Sequence, residues 1–144
     1  MFEKFCMDQI DTTLTDLINE GGSFSVFSKG RSMLPLLREG KDSVLLSKPS
    51  SLKKNEIILF KRKDGTHVLH RITQVTADGY IVSGDNQCFS EIVVDEDVIA
   101  KVIQIFRKDK PIIGSLRYKI YVKAYSFNII KKIGIRFFRI IGDL

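Results

Sequence analysis

The stretch EIILFKRKDGTHVLHRITQVTADGYIVSG, Glu56 to Gly84, holds three apolar runs separated by two Asp-Gly pairs, Asp64-Gly65 and Asp78-Gly79. Asp-Gly supplies the positive backbone angles that a tight hairpin turn requires, and the flanking runs are rich in β-branched and aromatic residues. The stretch therefore predicts two hairpins, Ile57 to Ile72 and Thr73 to Val82. Working outward, "SVLLSK" upstream and "IVVDEDVIAKVIQIFRK" downstream are further short runs bounded by turn residues, and Phe24 and Val26 alternate in a strand that ends at Lys29-Gly30. The expected fold is mainly β, an all-β domain spanning residues 22–110.

The flanks read differently. Phe2, Phe5, Cys6, Ile10, Leu14, Leu17 and Ile18 fall near helical spacing and "NEGG" supplies a stop, which predicts an amphipathic helix from Glu3 to Asn19 within an N-terminal segment 1–21. From residue 111 to 144, Ile120, Tyr121, Tyr125, Phe127, Ile130, Ile133, Phe137, Phe138 and Ile141 interleave with Lys119, Lys123, Lys131, Lys132, Arg136 and Arg139. Met1 to Phe106 carries 13 Lys+Arg against 15 Asp+Glu, whereas Arg107 to Leu144 carries 10 against 2, so the net charge of +6 belongs to the C-terminal segment. A basic amphipathic helix suits an anionic membrane surface; packing on the β domain with a solvated basic face is the alternative. Nucleic acid is the poorer partner, because the aromatics sit on the apolar side and the β core shows no stacking platform.

At 144 residues and 44% hydrophobic, the chain fits one domain with a short appendage and is not a disordered segment. Cys6 and Cys88 have no CxxC partner, so neither a zinc site nor a disulfide framework is indicated, and no metal or cofactor is expected. The N-terminal residues form no secretory signal, and no run reaches the roughly 18 apolar residues of a membrane span. The expectation is a cytoplasmic protein, or one peripheral at the membrane.

Ser32 lies in "SKGRSMLPLLREG", Ser28 to Gly40, with no group within a few residues to take its proton. Any catalytic use of it requires a base from elsewhere in the chain. Three boxes in order supply one: "GRSMLP" at 30 to 35, "VLHRI" at 68 to 72, and "SGDN" at 83 to 86. Together they resemble the signal peptidase I superfamily, which includes the self-cleaving repressors, over about residues 22–102. His70 at the base position, where most bacterial members carry lysine, resembles the serine-histidine branch found in the endoplasmic reticulum.

The resemblance implies that Ser32 attacks a peptide carbonyl and that His70 takes its proton. It implies a structural pair of Arg71 with Asp85, Asp85 also being a fallback third catalytic member. The position of the acid that supports the base in the family maps onto Glu91, with Asp95 and Asp97 close behind, which makes Glu91 a candidate ranked below Asp85. Met33, Phe24 and Val26 would line or flank an extended substrate, the strand of Phe24 and Val26 accepting it by strand addition, while Gly30 and Pro35 would shape the turn that aims the Ser32 N–H as oxyanion donor. Three departures stand out: Gly30 where many members carry a hydroxyl, Glu91 in place of aspartate, and "GKDS" where "GD" is common.

The function expected is a serine endopeptidase acting on an extended leader or signal-type peptide. Two alternatives share the fold. One is a peptide-binding module without catalysis; the other is a self-cleaving repressor-type regulator, disfavoured by the short N-terminal segment and the lack of an Ala-Gly pair. A histidine base of ordinary pKa, about 6.5, would make activity rise between roughly pH 5 and 8.

Overall fold

Both Asp-Gly pairs close hairpins. The computed structural model describes residues 4–6 and 12–126, and its elements run β1 (Lys4–Cys6), α1 (Thr12–Asn19), β2 (Ser23–Phe27), β3 (Asp42–Ser47), β4 (Ile57–Lys61), β5 (His67–Thr76), β6 (Gly79–Ser83), β7 (Glu91–Val93), β8 (Val98–Arg107), β9 (Lys110–Pro111) and α2 (Leu116–Ser126). The nine described strands form one sheet in the order β1-β2-β3-β8-β4-β5-β6-β7, with β9 paired to β8. The fold is mainly β, as expected.

Strand β8 sets the topology. It enters between β3 and β4, pairing Asp42 with Arg107 on one side and Ile58 with Lys101 on the other. Register shifts at Leu45/Leu46, Leu59/Phe60 and Ile72/Gln74 break the ladders of β3, β4 and β5. Such bulges bend strands and increase their twist.

Burial on both faces explains the continuous apolar run in β4. Ile57 and Leu59 point into one cluster with Phe24, Val26, Val44, Leu46, Val102 and Ile105, while Ile58 and Phe60 point into a second with Ile72, Val82 and Val93. A strand buried on both faces needs apolar residues at successive positions, not alternate ones.

Two expectations for the flanks change. The described part of the N-terminal helix is Thr12–Asn19, positions 3 and 7–11 of the expected helix lying outside the described residues, and Lys4–Cys6 is instead a strand pairing parallel with Ser25 to Phe27 of β2. An exposed strand edge offers hydrogen bonds that override a weak helical pattern over three residues. In the C-terminal segment, α2 covers Leu116–Ser126, and the positions predicted beyond it, Phe127 to Ile141, lie outside the described residues. Nor is α2 split into one apolar and one basic face: Tyr118 and Tyr121 pack on the core and Tyr125 is buried, whereas Leu116 and Ile120 are exposed beside Arg117, Lys119 and Lys123. No helix among the described residues is long and apolar enough to cross a membrane.

Candidate active site

The loop from β2 to β3 carries Ser32 and is pinned at its neck. Ser28 N–H donates to the Asp42 carbonyl at 3.1 Å, and Gly40 N–H donates to the Ser28 carbonyl at 3.0 Å. The buried Asp42 carboxylate accepts the Arg38 backbone N–H at 2.9 Å and the guanidinium groups of Arg38 and Arg107, at 3.1 Å and 2.9 Å for their closest contacts. Burial opposes its ionisation, yet the hydrogen bonds from Arg107 and Arg38 outweigh that and hold its pKa at about 2. This is what the departure "GKDS" provides: an acid that ties the loop to β8. Met33, Leu36 and Leu37 anchor the middle of the loop in the core. Gly30 has φ +79° with open space around its missing Cβ, so a backbone angle, not crowding, calls for glycine there. The same angle disfavours a side-chain oxyanion donor at that position.

The "SGDN" segment closes on Ser32 from the other side. Asn86 N–H donates to the Ser32 carbonyl at 2.8 Å and the Asn86 side-chain amide donates to the Arg31 carbonyl at 3.1 Å. A Cβ on Gly84 would sit 2.5 Å from the Ser32 carbonyl oxygen and 3.0 Å from its Cβ, so only glycine allows this approach. Asp85 reaches away, taking Nε and Nη2 of Arg71 at 2.9 Å each and the Tyr121 hydroxyl at 2.7 Å. Arg71 also donates to the Asn55 carbonyl at 2.6 Å and lies 5.9 Å and 5.5 Å from the ring centres of Tyr121 and Tyr125. Burial opposes the Arg71 charge, but Asp85 outweighs it and raises the pKa further. Burial, with Asp85 second, raises that of Tyr121. Asp85 is thus held in a closed pair with Arg71, as the resemblance implied.

Glu91 is the acid placed beside His70. His70, opposite Ile58 in the ladder and 1% exposed, has its ring edge-on to Phe60 at 5.8 Å. Its Nδ1 lies 3.1 Å from Glu91 Oε1, within hydrogen-bonding distance but short of full alignment. Glu91 in turn accepts Nη2 and Nε of Arg62 at 2.7 Å and 3.0 Å. The other ring nitrogen, Nε2, is buried too and likewise has no hydrogen-bond partner among the described residues, so the Ser32 hydroxyl is not bonded to it. Burial pulls the His70 pKa down to about 4, Glu91 pushes up against it, and Arg62 pushes down. Glu91 sits below its ordinary value, first because of the Arg62 hydrogen bond.

Ser32 and His70 line one cavity of about 500 Å³, together with Lys29, Arg62, His67 and Gln87. His67 is half-buried in that wall. Phe24, Val26 and Met33 do not line it. All three are core side chains, and Met33 Sδ accepts the Asp85 N–H at 3.4 Å. What β2 can offer a peptide is backbone, and at Ser25 to Phe27 one edge is paired with β3 and the other with β1. Asp95 takes the Tyr80 hydroxyl at 2.6 Å. Among the described residues no group of three or more His, Cys, Asp or Glu is placed to hold a metal ion.

Sequence reading passed over Arg62, Gly84 as a contact, and Tyr121. Arg62 sits in the charged run "KRK", and Tyr121 finds Asp85 across 36 positions of chain. Scans of the chain against models of protein families and against curated protein sequences return no match.

Proposed function

We propose that the chain is a serine endopeptidase of the signal peptidase I type, cleaving an extended leader-like peptide with Ser32 as nucleophile, His70 as base and Glu91 as the acid that orients it. The observation that carries the reading is that Ser32 and His70 line one cavity while Glu91 Oε1 stands 3.1 Å from His70 Nδ1 and the buried Nε2 has no hydrogen-bond partner among the described residues. A buried polar atom without a partner is costly, and a base awaiting its proton donor accounts for it.

In this scheme Ser32 Oγ attacks the scissile carbonyl while Nε2 takes its proton. His70 then returns that proton to the leaving amine, and a water deprotonated by the same nitrogen hydrolyses the acyl-enzyme. The Ser32 N–H is the natural oxyanion donor, because the Ser32 carbonyl is already fixed by Asn86 and the loop is anchored on both sides. Asp85 has a structural part, holding the loop through Arg71 and Tyr121. The exposed Leu116, Ile120, Arg117, Lys119 and Lys123 of α2 support an anionic membrane surface as a partner.

Incubating the full chain with a library of extended peptides, and sequencing the products by mass spectrometry for wild type and Ser32→Ala, tests the activity. Defined cuts lost in Ser32→Ala support it. Peptide binding without cuts points instead to a module that holds peptides without turnover. Salt-sensitive sedimentation with phosphatidylglycerol vesicles supports the surface role, and salt-independent lack of binding removes it.

A further inference from the structure

Glu91 opens β7, a three-residue strand at the end of the sheet, and its side chain is 26% exposed. A flexible carboxylate in that position does not hold a fixed direction unaided. The group that holds it comes from 29 positions away: Arg62, just past the end of β4. Lys61 and Lys63 on either side are exposed, whereas Arg62 is half-buried and turned to the site. It grips Glu91 with Nε and Nη2, the two-pronged arrangement available to arginine and not to lysine. Glu91 Oε1 is shared, 2.7 Å from Arg62 Nη2 and 3.1 Å from His70 Nδ1.

We propose that Arg62 is a positioning residue: by clamping Glu91 it sets the carboxylate against Nδ1 of His70, fixing the tautomer that carries its proton on Nδ1 and presents Nε2 as the base. The catalytic meaning of this clamp rests on the serine-histidine reading above; its geometry does not. The charged groups acting on His70 come from three directions, Glu91 of β7, Arg62 after β4 and Asp85 after β6. Arg62 disfavours the imidazolium directly and offsets the pull of Glu91, so its loss favours protonation of the ring.

The chain has two histidines, which makes the test direct. Long-range 1H–15N spectra of the full chain, assigned with His67→Gln, report the tautomer and the titration midpoint of His70. Wild type is expected in the Nδ1–H form at neutral pH. Arg62→Gln should give mixed tautomers and a higher midpoint. Arg62→Lys should keep the midpoint near wild type, because the charge stays, but mix the tautomers, because the fork is gone. Acylation by a fluorophosphonate should fall roughly tenfold to a hundredfold in Arg62→Gln, the scale for residues that orient a functional ring. It should fall no further in Arg62→Gln/Glu91→Gln than in Glu91→Gln alone. An unchanged tautomer and midpoint in Arg62→Gln, or additive losses in the double variant, would overturn the proposal. If wild type is not acylated, the spectra still decide on the clamp, so the two readings fail separately.

Discussion

Replacing Gly84 by alanine tests how closely the "SGDN" segment must approach Ser32. The new Cβ would stand 2.5 Å from the Ser32 carbonyl oxygen, where ordinary contact begins at 3.4 Å, so the two segments must part by nearly 1 Å. The obstructing atom is backbone, and it is held by the Asn86 N–H at 2.8 Å. Forced overpacking of this kind costs about 1–3 kcal/mol of stability. Catalysis should suffer more, because a displacement near 1 Å at a reacting group costs about a hundredfold in rate. The assay is the rate of fluorophosphonate acylation, read by intact mass, beside the urea midpoint. Gly21→Ala is the control: its φ of +92° strains alanine, but nothing lies within 4 Å, so stability should fall while acylation keeps its rate. Wild-type acylation in Gly84→Ala would refute the claim that this contact positions the serine.

Four further outcomes are expected. With the His70 pKa at about 4, acylation should be level from pH 5 to 8 and fall as pH drops through about 4, which replaces the rise between 5 and 8 expected for an ordinary histidine. The unfolded chain protonates this ring near 6.5 and the folded one only near 4, so stability should decline across that window as pH falls, by roughly 3 kcal/mol in urea titrations; His70→Gln should lack that share of the decline. Removing one half of the buried Arg71–Asp85 pair by Asp85→Ala should cost about 3–5 kcal/mol. Tyr121→Phe, which takes only the hydroxyl from the same carboxylate, should cost about 1.5–3 kcal/mol, both read by urea unfolding.

The hairpins were legible because Asp-Gly dictates its own turn and needs no distant partner. The order of serine, histidine and "SGDN" boxes was legible as a resemblance, and the structure gives one of its glycines a physical reason in the contact with Ser32. Which acid faces His70 was not legible. That depends on the β6–β7 register, Val82 opposite Glu91, and on β5 directing His70 and Arg71 to opposite faces, toward Glu91 and Asp85 respectively. Lys4–Cys6 misled because strand pairing with β2 is a tertiary contact that a three-residue window does not encode. Arg62 was hidden for the opposite reason: in a charged run every residue reads as solvated, and only the fold turns one of the three inward.

Reaction of the full chain with a fluorophosphonate, followed by intact mass and peptide mapping, decides whether Ser32 is an activated nucleophile. A single adduct on Ser32, absent in Ser32→Ala and in His70→Ala, is expected. No adduct, or one that persists in Ser32→Ala, would contradict it.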